Sequence, residues 1–173
     1  MADQKDKDLE QVVSEHEVRI EKVKKLLEMG IEPWPAPQDV NATCQEVLDE
    51  YKEGEELSKY SVAGRVITWR EHGKTIFGHI QDRSGKLQVY IKKDLIGDEQ
   101  FDIVKGIIDI GDIIWVSGHS FKTKTGEITV KVEKIVLQSK CLYPLPEKFH
   151  GLADVEIKYR QLYLDLIIDK YIL

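Results

Sequence analysis

The sequence lacks the features that would place it in a membrane or in an oxidising compartment. It has no run of about 18 apolar residues, so no segment is predicted to span a membrane. Its two cysteines, Cys44 and Cys141, lie far apart and form neither a zinc-ligand spacing nor a disulfide framework. Its first residues lack the basic and apolar regions of a signal peptide, and they are too acidic for a transit peptide. These absences favour a cytoplasmic protein.

Catalytic signatures are absent as well. The sequence has no Gly-x-x-x-x-Gly-Lys phosphate loop, no Gly-x-Gly-x-x-Gly motif and no His-Glu-x-x-His motif. The five histidines have no spacing that suits a metal ion. We therefore expect no catalytic residue, no metal site and no cofactor in this chain.

The net charge of −6 is distributed unevenly along the chain. Residues 1–59 contain 8 Lys+Arg and 16 Asp+Glu, residues 60–140 contain 13 and 10, and residues 141–173 contain 4 and 5. The middle segment is therefore mildly basic, at +3, although the whole chain is acidic. A segment of this kind can bind nucleic acid, but its affinity cannot come from bulk charge alone.

The N-terminal region is predicted to contain an acidic leader and a helix. Residues 1–14 are charged and have few apolar anchors, which predicts disorder. Residues 15–59 read as a helical extension whose first helix is capped by Ser14 and stops at Gly30. The predicted apolar stripe of this helix consists of Val18, Val23, Leu26 and Leu27, and the basic residues on its other faces are Arg19, Lys22 and Lys25. We interpret it as a docking helix.

A second, shorter helix follows a proline-rich connector. Three prolines within residues 31–37 indicate an extended chain. Asn41 or Thr43 can cap a helix that extends to Tyr51 or Lys52, and Glu46 has the spacing to complete a capping box with Thr43.

Residues 60–140 change to the period-two alternation of β-strands. The five predicted strands span residues 61–69, 75–81, 87–92, 113–121 and 127–137, with a polar loop at 70–74 and a helix at 98–109. Five strands with a helix between the third and the fourth are the order of an OB-fold barrel. The predicted fold is therefore mainly β, with flanking α-helices.

Alternation also predicts which side chains face outward. Ile76 and Ile80 would face the core, which turns Phe77 to the outer face. The predicted outward set is Arg65, Phe77, Gln88 and Glu127. In the fifth strand, the residues predicted to face inward are Ile128, Val130 and Val132, with Thr129 and Lys131 outward. An aromatic ring combined with hydrogen-bonding groups is typical of proteins that bind single-stranded RNA.

Each of these residues also has a purely structural interpretation. Phe77 could pack under a loop, and the other three could be ordinary surface residues. Lys122 and Lys124, between the fourth and fifth strands, are candidate phosphate contacts or simply solvated lysines. From the residues alone, the sequence indicates an OB-fold that binds single-stranded nucleic acid.

Several segments resemble class II lysyl-tRNA synthetases, in particular their N-terminal anticodon-binding region. The similar segments are residues 62–66, 73–77, 80–82, 85–90, 109–113, 121–127, 144–152 and 159–166. Segments 144–152 and 159–166 look like the hinge of the lysyl enzyme. The resemblance implies that residues 141–173 are that hinge and the start of a truncated class II catalytic domain, which leaves residues 60–140 as the anticodon-binding domain.

The resemblance implies a function for the full-length protein. It would be a homodimeric lysine–tRNA ligase that uses ATP and Mg²⁺, with lysine and ATP bound by the missing catalytic domain. The present chain would bind the anticodon loop of tRNA-Lys and would be inactive by itself. By the same resemblance, Phe77 lies under the middle anticodon base, Arg65 and Gln88 hydrogen-bond to it, and Glu127 lies near a flanking base. His79 departs from the family, since many relatives have a small or polar residue there.

Two alternatives stay open at this point. One is a free-standing OB-fold module that binds single-stranded RNA, and the other is a relative of the aspartyl or asparaginyl enzymes. An interaction scaffold that uses the acidic leader is a third interpretation.

Overall fold

The computed structural model describes residues 2–53 and 58–145, with side chains from Gln11 onward. In these segments the helices are α1 (Ala2–Glu28), α2 (Cys44–Glu50), α3 (Lys93–Ile96) and α4 (Asp98–Ile107). The strands are β1 (Lys59–His72), β2 (Thr75–Gln81), β3 (Lys86–Lys92), β4 (Ile113–Lys122) and β5 (Ile128–Ser139). Most of the residues predicted to form the hinge and the catalytic lead-in lie outside the described residues.

The five strands close into one barrel, in the order β1-β2-β3-β5-β4. The pairing of β3 with β5 is parallel, and the other four pairings are antiparallel. This topology confirms the predicted five-stranded OB-fold with helices between its third and fourth strands.

The barrel core is built from alternate residues of β2 and β3, as predicted. Ile76 and Ile80 of β2 and Leu87, Val89 and Ile91 of β3 are at most 1% exposed. The intervening residues are only partly buried. Apolar burial of this kind contributes most of the favourable free energy of folding, and it holds the outward side chains on a rigid surface.

A bulge in β1 changes the predicted alternation. The register shifts between Val66 and Thr68, so the extra residue Ile67 is buried directly after Val66. As a result Thr68 pairs with His79 across β2. The alternation expected from Arg65 would have turned Ile67 outward instead, because a period of two cannot register an inserted residue.

Several element boundaries differ from the prediction. The predicted polar loop at residues 70–74 is wrong for its first half, since β1 continues to His72 and the turn is Gly73-Lys74. Gly73 has a φ of 59°, which suits a tight two-residue hairpin loop. The helix predicted at 98–109 is α4, and a short helix that was not predicted, α3, precedes it and is separated from it by Gly97 with a φ of 89°.

Helix α1 begins at Ala2, so residues 2–14 are helical where disorder was predicted, and the capping role of Ser14 is wrong. The segment contains no glycine or proline before Gly30, so nothing in it interrupts helix propagation. The predicted apolar stripe is also wrong for two of its members, because Val18 is 53% and Leu27 is 56% exposed.

Helix α1 docks on the barrel mainly through polar side chains. Arg19 is buried and donates hydrogen bonds to the carbonyl oxygens of Cys141, at 2.9 Å, and Ile110, at 3.1 Å. His16 Nδ1 lies 2.8 Å from the carbonyl oxygen of Leu142. Only Leu26 of the predicted stripe is fully buried, at 1% exposed. The docking role is therefore correct, but basic residues supply much of the contact.

Lys140 lies at the centre of a buried charged cluster beneath α1. Its Nζ donates hydrogen bonds to Asp112 Oδ2 at 2.7 Å and to Asp109 Oδ2 at 2.6 Å. Lys22 of α1 donates to the other oxygen of Asp109, also at 2.6 Å. Burial alone would raise the pKa of Asp109, but the hydrogen bonds from Lys140 and Lys22 outweigh it and lower that pKa below its ordinary value.

The short helix α2 packs its N-terminus against the β2–β3 turn. The capping box predicted for Thr43 and Glu46 is present. The backbone N–H of Cys44 donates to Asp82 Oδ2 at 2.8 Å, which ties the helix to the turn. Burial raises the pKa of the Cys44 thiol to about 12. This thiol is therefore a packing group and not a nucleophile.

Candidate nucleic-acid interface

Two rows of outward side chains cross the barrel from β1 through β2 and β3 to β5. In each row, every residue is the direct cross-strand partner of the next. The polar row consists of Thr68, His79, Gln88 and Thr129. The aromatic row consists of Arg70, Phe77, Tyr90 and Lys131. The rows are adjacent because their members are two residues apart on each strand, on the same side of the sheet.

The polar row is joined into one hydrogen-bonded network by Glu127. Gln88 Nε2 donates to Glu127 Oε2 at 2.8 Å, and His79 Nε2 lies 2.7 Å from Glu127 Oε1. On the other side, Thr129 Oγ1 donates to Gln88 Oε1 at 2.7 Å. His79 Nδ1 lies 2.8 Å from Thr68 Oγ1. The amide of Gln88 therefore has a defined orientation, with its oxygen towards Thr129 and its nitrogen towards Glu127.

The loop between β4 and β5 positions the backbone of Glu127. The backbone N–H of Thr123 donates to the carbonyl oxygen of Glu127 at 2.9 Å. The backbone N–H of Glu127 returns to Thr123 Oγ1 at 3.1 Å. Gly126 closes the turn with a φ of 90°, a backbone conformation that is unfavourable for residues other than glycine. Glu127 thus lies just before β5 at a defined point above the polar row.

Three aromatic rings lie together beside the polar row. The ring centroids of Phe77 and Tyr90 are 4.7 Å apart with a 39° angle between their planes. The ring of Phe121 meets Tyr90 edge-on at 5.9 Å. Phe77 is only partly buried, so one side of this cluster is accessible to a ligand. An aromatic face next to a row of hydrogen-bonding groups can stack a base and contact its edge.

Three of the four predicted anticodon-site residues come together, while Arg65 lies apart. Gln88 contacts Glu127, and Phe77 lies in the adjacent row. Arg65 pairs instead with Gln81 at the far end of β2, and its Nη1 donates to the carbonyl oxygen of Gly111 at 2.8 Å. Its guanidinium therefore has a structural partner within the barrel.

Arg70 and Tyr90 are members of the face that the sequence interpretation did not include. Arg70 is the cross-strand partner of Phe77, is exposed, and has no ion pair with any residue in the described segments. The sequence could not place Arg70 on the outer face, because uninterrupted alternation from Arg65 would have put Arg70 on the inner side, and only the β1 bulge reverses this. Tyr90 could have been found from Gln88, since it lies two residues further along the same strand.

The fifth strand corrects one prediction about exposure. Thr129 lies on the outer side of the sheet as expected, but its side chain is fully buried beneath Gln88 and Glu127. Ile128, expected in the core, is only half-buried. Lys122, the last residue of β4, and Lys124, in the loop that follows, are both exposed, and Lys122 Nζ lies 3.5 Å from Glu53 Oε2.

Neither a metal site nor a membrane span is found in the described part of the chain. Residues 2–53 and 58–145 contain no group of three or more His, Cys, Asp or Glu side chains that could hold a metal ion. No helix in these segments is long and apolar enough to cross a membrane.

Comparison with known proteins shows that the barrel is similar to a family of nucleic-acid-binding domains. Residues 60–137 match the tRNA anticodon family, which is described as an OB-fold nucleic acid binding domain. This range coincides with the closed barrel and includes both rows of the outer face. The family match and the observed fold therefore agree on the class of this domain.

Similarity to whole proteins extends beyond the barrel. The lysine–tRNA ligase of Thermotoga maritima is 46% identical over 158 residues, which cover 88% of this chain and 32% of that protein. The lysine–tRNA ligase of Staphylococcus epidermidis is 44% identical over 169 residues, covering 93% of this chain and 34% of that protein. The lysine–tRNA ligase of Methanoculleus marisnigri is 46% identical over 157 residues, covering 88% of this chain and 30% of that protein.

The chain is thus a homologue of lysine–tRNA ligases and carries their OB-fold domain, which confirms the resemblance to lysyl-tRNA synthetases. It spans about a third of the length of these curated relatives.

Proposed function

We propose that the outer face of the barrel binds the anticodon loop of a lysine tRNA. The observation that carries this proposal is the juxtaposition of the Phe77–Tyr90 ring pair with the network of Gln88 and Glu127. A ring stacks on any base, whereas an amide and a carboxylate distinguish bases by their hydrogen-bonding edges. The two rows together supply affinity and selectivity for single-stranded RNA.

Each site residue has its own part in this proposal. Phe77 stacks under one base, Gln88 donates to and accepts from the edge of that base, and Glu127 accepts from a neighbouring base. Arg70, next to Phe77 and without an ion-pair partner in the described segments, supplies positive charge for a phosphate. Lys124 in the β4–β5 loop is a second phosphate contact, and Lys122 contributes less because Glu53 lies beside it.

For the whole protein we propose the activity that its relatives' names state, lysine–tRNA ligation. ATP, Mg²⁺ and lysine would bind in the part of the relatives that this chain does not span, and that part would also form a homodimer. A cytoplasmic location is consistent with a role in protein synthesis. Similarity over 88% of the chain to lysine–tRNA ligases, beyond the barrel itself, favours this over a free-standing RNA-binding module.

The test is the affinity of the chain for an anticodon stem-loop with a UUU triplet. Phe77→Ala should weaken binding by about 1–3 kcal/mol, because the stacking surface for one base is lost. The matched control is Ile80→Ala, on the same strand but fully buried, which should lower the melting temperature more and the affinity per folded molecule less. Unchanged affinity together with a large loss of stability in Phe77→Ala would show that Phe77 is a packing residue.

A further inference from the structure

His79 lies at the centre of the polar row and contacts Glu127 directly. Its Nδ1 lies 2.8 Å from Thr68 Oγ1, and its Nε2 lies 2.7 Å from Glu127 Oε1. The His79 side chain is 32% exposed, so the ring lies in the face and not above it. The roles proposed above for Phe77 in stacking and for Gln88 in base recognition assign no role to His79.

The hydrogen-bonding partners of His79 determine which nitrogen carries hydrogen. A carboxylate only accepts hydrogen bonds, so Nε2 must donate to Glu127 whether the imidazole is neutral or protonated. Thr68 Oγ1 already accepts from the backbone N–H of His79, at 3.1 Å, which leaves its hydroxyl hydrogen available for Nδ1. The neutral ring therefore has the Nε2–H tautomer, oriented by Thr68.

Glu127 depends on this donor for its position. Its side chain is 45% exposed and follows directly after Gly126, so packing alone does not select one rotamer. Its two oxygens are instead held separately, Oε1 by His79 and Oε2 by Gln88. Each oxygen keeps a free lone pair that points away from its protein donor.

We propose that His79 is a positioning residue for base recognition, acting through Glu127. With its carboxylate held by His79 and Gln88, Glu127 presents an acceptor to the base above the polar row. Uracil can donate its imino N3–H to this acceptor, whereas cytosine has an acceptor at N3 and can reach the carboxylate only through its exocyclic N4 amino group, which requires a different position of the base. This inference rests on the proposed function, since it assigns a part of the same RNA-binding face.

The experiment uses the whole chain and a set of anticodon stem-loops. One stem-loop carries UUU, and three others carry cytidine in place of one uridine each. His79→Ala should reduce the uridine preference at one of the three positions by at least about threefold, a difference of about 0.65 kcal/mol, and leave the other two within error. His79→Gln should keep most of that preference, because its amide N–H can replace the Nε2 donor.

A double-variant comparison separates positioning from folding. In a Glu127→Gln background, His79→Ala should cause no further change in preference, because the group that it positions has lost its acceptor charge. Melting curves of all variants report folding independently. Unchanged preferences in His79→Ala, or an equal loss for all four stem-loops, would overturn the proposal.

A measurement without RNA makes the two proposals distinguishable. The ¹⁵N chemical shifts of the His79 ring in the free chain should show a protonated Nε2. Equal affinity of the wild-type chain for the UUU stem-loop and for a loop of adenosines would overturn the proposed function but not the His79–Glu127 contact. An unprotonated Nε2 would instead overturn the positioning role, whatever the affinity for RNA.

Discussion

Lys140 and Asp112 form a completely buried ion pair, with Lys140 Nζ 2.7 Å from Asp112 Oδ2 and 0% exposure for both side chains. Other groups of the protein also form hydrogen bonds with both members of the pair. Asp112 Oδ1 accepts from the backbone N–H of Cys141 at 2.8 Å, and Lys140 also donates to the carbonyl oxygen of Ile107. Because these polar atoms have partners, the chain can bury both charges where β5 ends and the helix α1 docks.

Removing the lysine of this pair should destabilise the domain strongly. Lys140→Met leaves Asp112 buried without its cation, and we expect a loss of about 3–5 kcal/mol in the free energy of unfolding. The control is Lys134→Met, at an exposed position of β5, which should change the free energy of unfolding by less than about 0.5 kcal/mol. Urea denaturation measures both. A double variant, Lys140→Met with Asp112→Asn, should lose less than the sum of the two single variants.

Acid should weaken the docking of α1 through Asp109. The pKa of Asp109 is lower in the folded chain than its ordinary value of 3.8, so its contribution to stability is complete above that value. This contribution is lost as the pH falls through the lowered, folded-state pKa. Asp109→Asn should therefore flatten the fall in stability as the pH falls below the ordinary aspartate value of 3.8. The exposed Asp39→Asn serves as control. An equally steep fall in both variants would contradict the prediction.

Gly78 should not tolerate a larger residue, whereas Gly106 should. A Cβ atom at Gly78 would lie 2.7 Å from Cε3 of Trp69, whose ring covers this point of β2. We expect Gly78→Ala to cost about 1–3 kcal/mol of stability. A Cβ at Gly106, within α4, would meet no atom within 4 Å, and alanine there should stabilise the helix by about 0.4–1 kcal/mol. Thermal unfolding compares the two, and equal shifts would show that the Trp69 ring moves aside.

Arg70 and Arg65 should differ in which property they affect. Arg70→Ala should weaken binding to the anticodon stem-loop and reduce the slope of log affinity against log salt by about 1. Arg65→Ala should instead lower stability by about 1 kcal/mol, because the hydrogen bond to the carbonyl oxygen of Gly111 is lost. Titrations at several salt concentrations, together with melting curves, separate the two. A loss of affinity in Arg65→Ala alone would restore the original assignment of that residue.

The sequence by itself determined the barrel and most of its candidate site. The period-two patterns of β2 and β3 correctly predicted which residues are buried, because each strand is regular and buries only one face. The same patterns put Phe77 and Gln88 on the outer side. The capping box of Thr43 and Glu46 was equally predictable, since it depends on residues only three positions apart.

Only the tertiary structure decided how distant residues combine. The bulge at Ile67 moved Arg70 onto the outer face and left Arg65 at its edge, because one inserted residue reverses every later orientation in a strand. The partners of Arg19 and Lys22 lie 87 to 122 positions away in the chain, so helical periodicity could not show that these basic residues dock α1. For the same reason, only the closed barrel brings His79 and Glu127, 48 residues apart, into hydrogen-bonding contact.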